Sequence, residues 1–181
     1  MPSLNEEMVK HISREVAEYI SGQKERFRGQ AVPIAAGSKR ELRRFFGPEV
    51  LETTRLVVLD GERIENPSFY GMLRELGFTN LPDFRWMAAV TFQDVVVAHE
   101  KFSAGLLFHE LVHVEQYRQL GVERFAELYV RGFLDGGGYE GIPLEKNAYE
   151  LGERFESDPK REFSVEQEVA DWVRAGRFVV G

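Results

Sequence analysis

Apolar residues recur at every fourth position near the start of the chain and form one stripe: Leu4, Met8, Ile12, Val16 and Ile20. This period predicts an amphipathic helix whose apolar face packs against the rest of the protein. Ser3 and Glu6 have the spacing of a capping box, in which two side chains bond to free backbone amides at a helix start. Gly22 favours an end to this helix.

Short apolar runs in the middle of the sequence favour β-strands instead. They are Arg55 to Asp60, Arg85 to Phe92 and Val95 to Ala98. Their β-branched residues suit a pleated, half-buried surface. Gln93 and Asp94 separate the last two runs, which predicts a hairpin. The three strands are expected to form one small, mostly antiparallel sheet.

Helix signals surround this sheet and fill the second half of the chain. Residues typical of helix starts and ends predict helices over 41–46, 66–77, 103–119, 125–136, 143–155 and from 164 onward. Ser38 with Glu41, and Ser164 with Gln167, repeat the capping-box spacing. The pattern predicts one α+β domain over residues 1–181. It consists of an N-terminal helix (1–30), a small sheet with short helices (31–102) and a helical part (103–181).

Composition narrows the possible partners of the protein. The 181 residues are 43% hydrophobic and 29% charged, with a net charge of -7 and no cysteine. The negative charge argues against a nucleic-acid partner, because phosphates need a basic surface. The basic segment 39–44 is interpreted as a solvated helix face. No apolar run is long enough to span a membrane, and no secretory signal is recognised, so the cytoplasm is the default expectation.

The segment HELVH, residues 109–113, is the strongest candidate for a functional site in the sequence. On a helix, His109 and His113 face the same way, about 6 Å apart, and can reach one cation. Glu110 then stands beside the metal, where a base must lie to take a proton from water. Because the surrounding residues are apolar, burial of this segment would be costly without a partner for its polar groups.

A zinc ion at this position needs a third protein ligand. Without cysteine, a carboxylate is the natural candidate. Glu145 is our first choice, because a helix that begins near Pro143 can pack back against the helix of the two histidines. Glu140, Glu150 and Glu153 are the alternatives that the sequence leaves open.

HELVHVEQY followed by LEKNAY resembles the gluzincin division of zinc metallopeptidases. There, HExxH supplies two ligands and the base, and a glutamate in an E-x-x-A pattern supplies the third ligand. The stretch from residue 89 to 116 also looks like small bacterial zincin-like domains of unassigned function. The resemblance covers residues 40–155 and implies a zincin-like fold with Glu145 as the third ligand. Tyr149 stands where many gluzincins have an aspartate that supports a ligand histidine.

Together these features predict a zinc metallopeptidase with one zinc ion per chain and a peptide or protein substrate. Glu110 is the expected general base. Tyr139 and Tyr149 are candidate donors to the oxyanion that forms in such a reaction. The strands over 85–98 are placed to pair with an extended peptide. The alternative is a zincin-fold interaction module that keeps the metal without turnover.

Overall fold

The computed structural model describes residues 4–178 and is an α+β protein, as predicted. Its helices and strands follow in the order α1 (Glu6–Arg28), β1 (Val32–Pro33), α2 (Ala36–Leu42), α3 (Pro48–Thr53), β2 (Arg55–Val58), α4 (Tyr70–Glu75), β3 (Ala89–Phe92), β4 (Val95–Ala98), α5 (Ala104–Asp135), α6 (Pro143–Ser157) and α7 (Val165–Arg174). Single 3-10 turns lie at Phe84–Trp86 and Tyr139–Gly141. The second half of the chain is therefore helical, as expected.

The four strands form one mixed sheet in the order β1-β2-β4-β3. β1 pairs antiparallel with β2, and β3 pairs antiparallel with β4. The central pair, β2 and β4, is parallel, with Arg55 opposite Val95. The expectation of a mostly antiparallel sheet is corrected at this pair. Because α4 and β3 lie between β2 and β4 in the sequence, the chain is long enough to cross over and return in the same direction.

β4 is buried on both of its faces. Val95 and Val97 pack in the cluster that contains α1, whereas Val96 and Ala98 pack in the cluster that contains the start of α5. A strand covered on both sides is typically apolar at every position, and VVVA fits that rule. The hairpin partner β3 lies at the edge of the sheet, directly against α5.

The end of α1 differs from the one that Gly22 favours. The helix continues past Gly22 to Arg28 and is followed by Gly29. A glycine inside a helix lowers its stability by only about 1 kcal/mol. Beyond Gly22, the ring of Phe27 stacks on Phe92 of the sheet with 6.4 Å between ring centroids. This packing outweighs the tendency of the glycine to end the helix. At the other end, Asn5 caps the helix by accepting a hydrogen bond from the backbone of Met8. The predicted capping residue Ser3 lies outside the described residues.

The two other capping boxes differ in outcome. Ser164 accepts a hydrogen bond from the backbone of Gln167 and starts α7, as predicted. Ser38 does not start α2, which begins at Ala36 and ends at Leu42. The following proline, Pro48, begins a helix (α3) that the sequence pattern did not predict.

α5 consists of two helical segments joined at one glycine. Ser103 caps its start, as predicted, and accepts a hydrogen bond from the backbone of Leu106. Gly121 breaks the helix, with φ 74° and ψ 162°, a conformation that favours glycine. The segment before the break carries HELVH, and the segment after it ends at Asp135. Although α5 is the longest helix, none of the helices within residues 4–178 is both long and apolar enough to cross a membrane.

Arg118 holds α5 to two neighbouring helices and should matter for stability. Its guanidinium bonds twice to the buried Glu115, and also reaches Glu49 of α3 and Glu166 of α7. Arg118→Met would leave the Glu115 carboxylate, 1% exposed, without its cation. We expect the free energy of unfolding to fall by about 3 kcal/mol, measured by urea denaturation. Arg28→Met, in an exposed ion pair, should change it by less than about 1 kcal/mol; equal effects would contradict this account.

Candidate metal centre

His109 and His113 lie one turn apart on α5 and point to the same place. Their Nε2 atoms are 3.2 Å apart. Three apolar neighbours fix this part of the helix in the core, since Phe108, Leu111 and Val112 are each 0% exposed. The position of the two rings is thus set by helix geometry and core packing together, as the sequence predicts.

Glu145 comes to the same place from α6. Its Oε2 lies 3.3 Å from Nε2 of His113 and 3.6 Å from Nε2 of His109. Pro143 starts α6, and the side chain of Ala148, which is 0% exposed, lies in the core beside α5. The predicted third ligand is therefore beside the two histidines. The alternatives Glu140, Glu150 and Glu153 are exposed and lie outside this cluster.

The three side chains could hold a metal ion, since one ligand atom from each lies within 4.8 Å of the others. Zinc bonds of 2.0–2.1 Å in a tetrahedron place neighbouring ligand atoms about 3.4 Å apart. The observed separations of 3.2, 3.3 and 3.6 Å are close to that value. Moreover, Oε2 of Glu145 is buried and has no hydrogen-bond donor within residues 4–178. A cation would give this oxygen the partner that the protein does not.

Gln116 orients His113 and was missed at the sequence level. Its Nε2 donates to the carbonyl oxygen of Leu144 and to Oδ1 of Asn147, at 3.0 Å each. This fixes Gln116 Oε1 as the acceptor that faces Nδ1 of His113, at 2.9 Å. Nδ1 therefore carries the proton, and Nε2 keeps its lone pair for the cluster. The Gln116 amide thus orients the His113 ring from three residues along the same helix.

Asp171 does not take this supporting role. Its carboxylate binds Gln167 and Arg174 on its own helix, α7. Tyr149 has a phenol group and no carboxylate. Its ring lies against the ring of His109, with 4.5 Å between the ring centroids.

Glu110 lies beside the cluster and is not part of it. Its side chain is buried, and Oε2 accepts a hydrogen bond of 2.7 Å from the hydroxyl of Thr91 on β3. Burial raises the pKa of the Glu110 carboxyl group, while the imidazoles of His113 and His109 act in the opposite direction. A carboxyl group with a raised pKa is better suited to accept and return a proton near neutral pH. Thr91 is a second residue that sequence reasoning missed.

The electrostatics of the cluster favour a cation. Burial opposes the charge on His113, but the nearby Glu145 carboxylate outweighs this effect and raises the pKa of His113 to about 9. Burial also opposes the charge on Glu145, yet the two histidines hold the pKa of its carboxyl group well below the usual range. The carboxylate therefore stays negative at neutral pH and attracts positive charge, either as a proton on His113 or as a metal ion.

Tyr139 and Tyr149 both lie at the rim of the site. Burial and the Glu145 carboxylate raise the pKa of the Tyr139 hydroxyl far above its usual value. Tyr149 is 52% exposed and covers the outer side of His109. Both tyrosine side chains thus lie next to the cluster, and their role as oxyanion donors stays a prediction.

Two cavities meet at His109 and Glu110. The first, here called the apolar pocket, has a volume of about 90 Å³ and extends between α1, β3 and α5. The second, the outer cleft, has a volume of about 410 Å³ and opens towards Tyr149 and Glu153. A ligand that fills both would pass directly over Glu110.

Comparisons of the chain with protein-family models, with curated proteins and with solved structures found no match. The function is therefore argued from the geometry of the His109, His113 and Glu145 cluster and from the residues around it.

Proposed function

We propose that this protein is a zinc-dependent peptidase of gluzincin type. The observation that carries the proposal is the cluster of His109, His113 and Glu145, with a buried Glu145 oxygen that lacks a donor, next to the buried carboxyl group of Glu110. Three protein ligands leave the fourth position of a tetrahedral zinc ion open, which distinguishes catalytic from structural zinc sites.

The donor set favours zinc over the other common metal ions. Two imidazole nitrogens and one carboxylate oxygen are typical zinc ligands, whereas magnesium and calcium prefer oxygen atoms alone. The chain has no cysteine, so a thiolate zinc site is excluded for this sequence. We expect one zinc ion per chain.

Zinc in such a site supplies a Lewis acid, which lowers the pKa of water to about 7 and polarises a carbonyl group. Glu110 would accept a proton from water at its carboxylate and would pass it to the leaving amine. Thr91 holds the Glu110 carboxyl group in place through its hydroxyl. Tyr139 or Tyr149 donates to the oxygen on which negative charge develops.

The edge of β3 favours an extended peptide as the substrate. Ala88 accepts a hydrogen bond from the backbone of His99, and Val90 lies opposite Val97. By the alternation of an antiparallel pair, the backbone groups of Ala89 and Thr91 point away from β4. Both residues line the apolar pocket beside Glu110. A peptide that pairs with this edge would bring its backbone to the base.

The two tyrosines can be distinguished by removing one hydroxyl at a time. We expect that either Tyr139→Phe or Tyr149→Phe lowers kcat about 100-fold with little change in KM, because the lost donor acts on the transition state. The other variant should stay within about 3-fold of the parent. Steady-state kinetics on one fluorogenic peptide measure this. If both variants keep full activity, neither residue is the oxyanion donor.

Gln116 should tune the affinity for zinc without binding the metal. Gln116→Leu keeps a similar volume but removes the acceptor for Nδ1 of His113, so the ring loses its fixed orientation. We expect zinc affinity to fall about 10-fold, as for other groups that support a ligand histidine. Competition with a chromophoric chelator measures the change. Gln119→Leu, on the same helix but away from the histidines, is the control and should bind zinc as the parent does.

One experiment tests the proposed function directly. Purified protein should carry about one zinc ion per chain and cleave unfolded casein; a chelator should stop cleavage and added zinc should restore it. Zinc-loaded protein that cleaves neither casein nor a broad peptide library would support the alternative, a zinc-binding interaction module. Protein that takes up no zinc would overturn the metal site itself.

A further inference from the structure

The apolar pocket is lined by aromatic and aliphatic side chains from several elements. The wall from α5 is aromatic: Tyr117 stacks on Phe125 with 3.7 Å between ring centroids, and Phe125 stacks on Tyr129 at 6.2 Å. The wall from α1 includes Val16 and Ile20 together with Tyr19. α1 lies outside the part of the chain that resembles zincins, so this wall is a feature of the protein's own sequence.

The α5 wall also offers a buried hydrogen-bonding group. Tyr117 is 7% exposed and lines the pocket, so its phenol group is part of the pocket wall. A ligand with a polar atom on an otherwise apolar group would pair with it.

We propose that the apolar pocket binds an aromatic side chain with a hydrogen-bonding edge, tyrosine or tryptophan, next to the bond that is hydrolysed. Flat aromatic walls accept a ring better than an aliphatic chain. Val16 and Ile20 set the depth of the pocket, and the Tyr117 hydroxyl pairs with the polar edge of the ring. This inference rests on the proposed function for its meaning, because the pocket opens at His109 and Glu110.

The test measures binding separately from turnover. Zinc-loaded Glu110→Gln protein is titrated with capped pentapeptides that differ only at the central residue, which is alanine, leucine, phenylalanine, tyrosine or tryptophan. We expect tyrosine and tryptophan peptides to bind about 10-fold or more tightly than the alanine peptide. Tyr117→Phe should remove the preference for tyrosine over phenylalanine. Equal affinity for all five peptides would overturn the inference.

Variants of α1 locate the ligand in this pocket. Val16→Phe fills space beside the ring and should weaken binding of the tyrosine peptide about 10-fold while leaving the alanine peptide unchanged. Met8→Phe introduces the same aromatic ring on the same helix, but Met8 lines neither cavity, so binding by this variant should match the parent. Thermal melts check folding, and Val16→Leu replaces Val16→Phe if the larger residue unfolds the protein. If Val16 variants bind as Met8→Phe does, α1 is not part of the site.

Failure of this inference and failure of the proposed function are distinguishable. An aromatic preference in binding, without hydrolysis of any peptide by the zinc-loaded parent, would disprove the peptidase and keep the pocket assignment. Hydrolysis without any side-chain preference would support the peptidase and disprove the pocket assignment. Tighter binding of a decanoyl peptide than of the tyrosine peptide would also overturn the inference, since it would assign the pocket to an acyl chain.

Discussion

Glu110→Gln should lower kcat about 1,000-fold or more on a peptide substrate while the protein keeps its zinc ion. The amide of glutamine has the size of the carboxyl group but cannot accept and return the proton. Its oxygen can still accept the hydrogen bond from Thr91 that Glu110 accepts now. Glu110 does not belong to the three-residue cluster, so metal content should stay the same. Steady-state kinetics and elemental analysis on one preparation measure both quantities.

The control for this variant is Glu123→Gln. Glu123 lies on the same helix, is exposed, and lies away from the cluster. It changes the net charge by the same amount, so any general effect of charge on substrate binding appears in both variants. An activity for Glu110→Gln within about 3-fold of the parent would remove Glu110 from the mechanism. Loss of zinc together with activity would show instead that Glu110 is needed to form the site.

The positions of the two histidines were largely predictable because the geometry between them is local. The i, i+4 spacing of His109 and His113 acts through one helix, and the helix is itself favoured by the Ser103 cap and by the apolar residues around the motif. Glu145 required one further step, the return of α6 after the glycine-rich turn. Pro143 marks that helix start at the predicted position.

The parts that sequence reasoning missed depend on contacts between distant segments. Gln116 orients His113 only because Leu144 and Asn147 of α6 fix its amide group. Thr91 reaches Glu110 only because β3 packs on α5. A glutamine or a threonine carries no local signal for either role.

Contacts between distant segments also explain where the predicted fold was wrong. β1 consists of Val32 and Pro33 alone, and only its pairing with β2 makes it a strand. The parallel pairing of β2 with β4 depends on how the intervening chain crosses the sheet, which periodicity does not encode. Gly22 ends no helix because Phe27 packs beyond it. Local propensity was overruled by tertiary packing in each case.

Glu145→Gln should weaken zinc binding more than about 100-fold, beyond the effect of any group that merely supports a ligand. The substitution removes the negative charge that draws a cation between His109 and His113, and it replaces a carboxylate with a weaker amide ligand. Oε2 of this carboxylate is buried and has no hydrogen-bond donor within the described residues, so a bound metal ion would supply its missing partner. Zinc affinity is measured by competition with a chromophoric chelator.

The matched controls are Glu140→Gln and Glu150→Gln, the exposed carboxylates that the sequence could not separate from Glu145. Each control removes the same charge close to the site. The long-range electrostatic effect of that charge should therefore be similar in all three variants and should change zinc affinity by only a few-fold. A selective loss in Glu145→Gln therefore isolates direct coordination. If Glu145→Gln binds zinc as the parent does while Glu140→Gln or Glu150→Gln loses it, the third ligand is the other residue, and α6 must shift to bring that residue to the histidines.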